Sequence, residues 1–121
     1  MRDTFAALKT YLTSFNLPAY SNETVPDTVE LPYITYPINE PEWDQKASFY
    51  IQIWDRTTNL TGILSKADEI LADIGQGKRI ATPEGYLFIW PENPKVQVMR
   101  EDDVLSAYIN LSLNAYHMPG S

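Results

Sequence analysis

Apolar residues along this chain recur with two different periods, and the switches between them divide it into elements. Phe5, Leu8, Leu12 and Phe15 are spaced by three, four and three residues, the stripe of an amphipathic helix over Thr4 to Phe15. Asp3 or Thr4 can cap its start, and Asn16-Leu17-Pro18 ends it, because proline lacks the donor a helix needs. A stronger stripe follows mid-chain, where Leu60, Ile63, Leu64, Ala67, Ile70, Leu71 and Ile74 form one continuous helical face. Thr57, Thr58 or Asn59 can serve as its N-cap, and Gly75 stands where a positive-φ C-terminal cap is wanted. Gly62 weakens the first turn by ~1 kcal/mol relative to alanine.

Elsewhere the period drops to two. Phe49, Ile51 and Ile53 alternate with Tyr50, Gln52 and Trp54, which predicts a strand with one triplet in the core and the other on the opposite face. Val29 to Pro37 is β-branched and aromatic between prolines and reads as an edge strand. The polar stretch from Ala19 to Glu30 reads as a surface connection, and Ile38 to Gln45 as a loop or extended arm. After the second helix, Lys78–Thr82 and Tyr86–Trp90 flank the turn Pro83-Glu84-Gly85. A second turn is expected over Trp90 to Lys95, then a strand Val96–Arg100, then a third turn at Glu101-Asp102-Asp103. In the last strand Leu105, Ala107, Ile109, Leu111, Leu113 and Ala115 alternate with Ser106, Tyr108, Asn110, Ser112, Asn114 and Tyr116. Its twelve residues reach about 40 Å at ~3.4 Å each.

The order helix, strand, strand, helix, strands predicts an α+β fold. The expected architecture is a mostly antiparallel sheet of four to six strands with both helices on one face. Residues 1–121 read as one domain, as the length suggests. Composition then narrows the chemistry. Nine Lys/Arg against sixteen Asp/Glu give a net charge of −7, which argues against a protein that grips nucleic acid. No cysteine is present, which excludes disulfides, thiolate zinc sites and thiol nucleophiles. No apolar run approaches the ~20 residues of a membrane span, and Met-Arg-Asp-Thr-Phe does not begin a secretory signal.

No catalytic, cofactor-binding or metal-binding constellation is predicted. His117 is the single histidine and has no partners for a triad or a metal cluster. Glu101-Asp102-Asp103 lacks the alternating ligands of a cation loop and reads as a solvated turn. Gly75-Gln76-Gly77-Lys78-Arg79 follows a helix, whereas a phosphate cradle precedes one. The Asn-x-Ser/Thr spacings at Asn22, Asn59 and Asn110 read as coincidence. More informative are Tyr50, Trp54, Tyr108 and Tyr116, all on strand faces opposite the apolar ones. They form either a protein–protein interface, where such residues act as anchors, or ordinary cross-strand pairs on a wetted sheet. Trp43, among the acids Glu40, Glu42 and Asp44, is either a docking anchor for a partner or a lid over the sheet edge.

Three local sequences and the element order resemble one known family. Leu31-Pro32-Tyr33-Ile34-Thr35-Tyr36-Pro37 resembles the proline-tyrosine strand that opens the sheet of tail terminator, or tail completion, proteins of long-tailed bacteriophages, also known as minor capsid or head–tail joining proteins. Ala47 through Gln52-Ile53-Trp54-Asp55 resembles their second strand. The helix Asn59 to Ile74 and the meander ending in Tyr108-Ile109-Asn110-Leu111 follow in the same order, so that the resemblance runs from Ala19 to Tyr116. The loop Asn39 to Asp44 has no counterpart.

The resemblance implies a non-enzymatic virion subunit without cofactors. Such a subunit assembles in the host bacterial cytoplasm, closes into a ring that is commonly a hexamer, and sits at the tail–head junction. Its partners would be copies of itself, the tail-tube protein and the head connector, with DNA passing through unbound and no membrane involved. On that basis Trp43, Asp44, Tyr50, Trp54 and Tyr108 are candidate interface residues, and Glu40 and Glu42 belong to the partner loop. A head-completion adaptor between portal and tail is the nearest alternative. A small binding or inhibitor domain is the alternative from another class.

Overall fold

A computed structural model describes the backbone of residues 2–37 and 46–117, with side chains from Ala6 to Tyr116 within those ranges. The elements are α1 (Arg2–Thr13), β1 (Ala19–Ser21), β2 (Tyr33–Tyr36), β3 (Lys46–Arg56), α2 (Leu60–Ile74), β4 (Lys78–Thr82), β5 (Gly85–Glu101) and β6 (Val104–His117). The six strands form one mixed sheet, curled as a half-barrel, in the order β1-β2-β3-β6-β5-β4. All neighbours are antiparallel except β1 and β2.

α1 forms where its stripe requires and buries Leu8, Leu12 and, just beyond its end, Phe15. Asn16 then turns the chain with a positive φ of 66°. That turn brings Ala19–Ser21 alongside Ile34–Tyr36 as a parallel strand, which corrects the expected surface connection at its first residues. Burial explains the gain, since Ala19 and Ser21 alternate inward around Tyr20. The same pairing moves the proline-bracketed strand β2 one place in from the edge, and the edge position belongs to β1.

β3 and β6 pair continuously from Lys46↔Asn114 to Arg56↔Val104 and form the centre of the sheet. Their inward residues Ile51, Ile53, Leu105, Ala107, Ile109, Leu111 and Ala115 are buried in a single core. Ile63, Ala67, Ile70 and Ile74 of α2 and Leu8 and Leu12 of α1 join it. Each fully buried leucine or isoleucine contributes roughly 1.5–3 kcal/mol by leaving water. The apolar stripe of α2 is wider than the face it buries, for Leu60 and Leu64 remain exposed. Asn59 occupies the N-cap position without a capping hydrogen bond. Its Nδ2 instead donates to Asp55 Oδ2 at 2.7 Å, fastening the helix start to the end of β3.

The turn expected over Trp90 to Lys95 does not reverse the chain. β5 runs on through these residues, and both halves pair with β6, from Gly85↔His117 to Pro91↔Leu111 and again from Val96↔Ile109 to Glu101↔Val104. Pro91 and Pro94 cannot donate to the ladder, so the extra residues bulge out while the long β6 strand holds both sides in register. The turn at Asp102-Asp103 forms as expected, with φ of 47° at Asp102.

Candidate functional site

Strand alternation brings one set of side chains to the sheet face opposite the core. β1 and β2 contribute Tyr20, Tyr33 and Thr35, and β3 contributes Lys46, Ser48, Tyr50, Gln52 and Trp54. β6 adds Ser106, Tyr108, Asn110, Ser112, Asn114 and Tyr116, and β5 adds Tyr86, Phe88 and Trp90. The result is a face of aromatic rings, hydroxyls and amides that crosses all the long strands.

The rings group in three clusters. At one end Tyr33 stacks on Trp54 with centroids 6.2 Å apart, Tyr20 meets Tyr33 edge-on, and Trp54 Nε1 donates to Thr35 Oγ1 at 3.0 Å. In the centre Tyr50 and Tyr108 lie 5.0 Å apart. At the far end Tyr86 stacks on Tyr116 at 5.0 Å and Phe88 lies 5.8 Å from Trp90. Cations cap this last cluster, with the Arg79 guanidinium 4.1 Å above Tyr86 and Lys46 Nζ 5.9 Å from Trp90. These geometries fall within the range in which offset and edge-on pairs are favourable.

Polar groups bind the face together. Glu92 Oε1 accepts from Ser112 Oγ at 2.8 Å and from Trp90 Nε1 at 3.0 Å, with Lys46 Nζ 3.4 Å away. The Ser112 hydrogen bond foremost, then the Lys46 charge, holds the Glu92 carboxyl below the usual range against its own desolvation. The β5 bulge walls a cleft of about 410 Å³ beside these groups, lined by Ser48, Tyr50, Glu92, Pro94, Gln97 and Asn110. Asn110 Nδ2 bridges it, donating to the Pro94 carbonyl at 2.6 Å and to Gln97 Oε1 at 3.1 Å. Burial raises the phenol pKa of Tyr108, with the neighbouring Tyr50 and Glu101 adding to the shift.

Of the residues singled out in the sequence, Tyr50 and Tyr108 come together, and Tyr50 is 40 % exposed. Trp54 stands apart from them, against Tyr33 and Thr35. Trp43, Asp44, Glu40 and Glu42 lie outside the described residues. The far cluster of Tyr86, Phe88, Trp90 and Arg79 was not singled out, although Tyr86, Phe88 and Trp90 alternate plainly along their strand. Glu92 was hidden because the prolines around it read as a turn. Gln52 was expected to face away from the core, and it does, yet the aromatic neighbours leave it only 8 % exposed.

The face thus carries partly exposed rings, Tyr50 and Phe88 among them, beside a cleft edged by polar groups. Among the described residues no three His, Cys, Asp or Glu side chains gather as a metal site, and no helix is long and apolar enough to cross a membrane. Compared with protein families and with curated proteins, the chain matches no family model and no curated sequence.

Proposed function

We propose that this chain is a structural, non-enzymatic subunit that closes into a ring with copies of itself at the end of a bacteriophage tail tube and joins the tail to the head connector. The observation that carries the reading is the aromatic sheet face, on which Tyr50 stands exposed beside Tyr108. Tyrosine and tryptophan supply large contact area at low conformational cost and recur as anchors of protein interfaces. In this reading both helices pack on the opposite face and leave the aromatic one to a neighbour. The charge of −7 supports it too, because a conduit for DNA should not hold phosphates.

Mixing the chain with tail-tube subunits of its phage and imaging the tubes by electron microscopy tests the proposal. A ring of uniform size at the tube end is expected, and tubes of unlimited length without caps would overturn it. Tyr50→Ala, at the exposed ring of the pair, should reduce the assembled mass in light scattering with little change in thermal unfolding, and Tyr108→Ala should do so at some cost to the sheet, because its ring is partly buried. Trp54→Ala should weaken the ring as well, at some cost to the sheet, because the indole also holds Thr35 and Tyr33. Capture by connector rings and not by tubes would move the subunit to the head side of the joint.

A further inference from the structure

β4 pairs with β5 only from Gly85 to Ile89, so the C-terminal half of β5 has β6 on one side and, among the described residues, no strand on the other. We infer that this open edge, Val96–Glu101, is a pairing site for the same edge of a second copy, forming a two-fold dimer with a continuous sheet. The inference does not rest on the ring reading. It uses a strand edge where the ring uses a sheet face, and it closes after two copies.

The hydrogen-bonding geometry fixes which residues are available. Glu101 and Val104 flank a two-residue turn and face each other, so Glu101, Met99 and Gln97 direct their backbone groups toward β6. Arg100, Val98 and Val96 therefore direct theirs outward. Antiparallel pairing of two such edges about Val98 sets Val98 against the partner's Val98 and Val96 against the partner's Arg100, each pair exchanging both backbone bonds. A shift by one residue would bring outward groups against inward ones, so it is excluded.

The side chains fit this register. Lys95, next to the bulge, comes level with the partner's Glu101, and by symmetry the reverse, so that two pairs of opposite charge stand across the joined edges. Charges on an edge ordinarily deter pairing, but here they are spaced symmetrically about the centre and complement each other. Val98 faces the core side opposite Ala107 and is nevertheless 40 % exposed, and Met99 on the other face is 47 % exposed. A second strand outside β5 covers both. The other edges are poorer candidates, for β1 has three residues and β4 runs beside α1. The two-fold axis stands perpendicular to the sheet, so the aromatic faces of both copies look the same way.

Sedimentation equilibrium on the full chain, from dilute to concentrated solution, tests the inference together with amide exchange. A reversible species of twice the chain mass is expected, with exchange at Val98 slowing as concentration rises. Val98→Pro removes an outward N–H that β6 does not use and should weaken the dimer at least about tenfold. Lys95→Glu or Glu101→Lys alone should weaken it roughly threefold to tenfold, and the two together should restore it. The charge swap decides the matter if the proline variant does not fold. A monomer at every concentration overturns the inference, as does a dimer indifferent to both sets of variants. A six-chain particle abolished by Tyr50→Ala and insensitive to Val98→Pro would support the ring and overturn the edge pairing.

Discussion

Tyr11 donates its phenol hydrogen to Asp73 Oδ2 at 2.5 Å, and Lys78 Nζ stands 3.4 Å from the same oxygen. Three elements, α1, α2 and β4, meet at this one carboxylate. The Tyr11 hydrogen bond foremost, then the Lys78 charge, holds the Asp73 carboxyl below its ordinary 3.8 against partial desolvation. Burial, followed by the bond to Asp73, raises the Tyr11 phenol well above its ordinary 10.0. The signs follow from which state takes up or loses the proton first. Asp73 contributes its full stability above pH 3.8 and loses it as pH falls through the lower folded value. Tyr11 contributes fully below pH 10.0, and its share declines as pH rises above that. Urea midpoints across pH should therefore fall less steeply at both ends in Tyr11→Phe than in the unmodified chain. Asp73→Asn should flatten the acid side and keep an alkaline decline. None of this is legible from sequence spacing, since Tyr11 and Asp73 are 62 residues apart and sit on the solvent margins of their helices.

At the scale of the element, α2 shows what local pattern can and cannot specify. Its period, its length and its terminal glycine are all evident in the sequence, because each is a property of neighbouring residues. Gly75 ends the helix at φ 58° and ψ −131°, a conformation that only glycine adopts without strain, while its N–H bonds to the Leu71 carbonyl. An added Cβ would touch nothing within 4 Å. Gly75→Ala thus isolates the backbone term and should destabilise the chain by about 1–3 kcal/mol in chemical denaturation. The N-terminal side is different. Asn59 was one of three possible caps, and the choice was made by Asp55, a residue of the preceding strand that claims its amide. β5 failed the local reading for the same reason. Two prolines and an asparagine promise a turn, but fourteen residues of β6 offer partners on both sides of them. The ladder tolerates a bulge more cheaply than it would forgo half its length.

In the whole molecule, β6 is paired along both edges, with β3 and β5. Stability is not uniform in such a sheet, because strands flanked on both sides open only when the core does. Amide hydrogen exchange should be slowest at Ala107 and Ile109, near the free energy of global unfolding, and much faster in the three-residue edge strand around Tyr20. Equal protection of the two would contradict the topology. The aromatic face adds a consequence at this scale. Ser106 and Ser112 are fully buried although they alternate to the face opposite the core, where the ladders set them across from Trp54 and Trp90.

The sequence by itself determined the α+β class, both helices, the core-facing sets of β3 and β6 and the terminal hairpin. Each is encoded in a period or a turn residue that acts over a few positions. It also placed Tyr50 and Tyr108 on strand faces opposite the apolar ones, since alternation decides the face of a side chain. Tertiary structure alone decided the parallel addition of β1, the inner place of β2 and the unbroken course of β5. Those features depend on which strand is free to pair with which, and pairing energy is shared between segments far apart in the chain. The rings that meet across the sheet likewise owe their partners to register, a relation between two strands that neither carries alone.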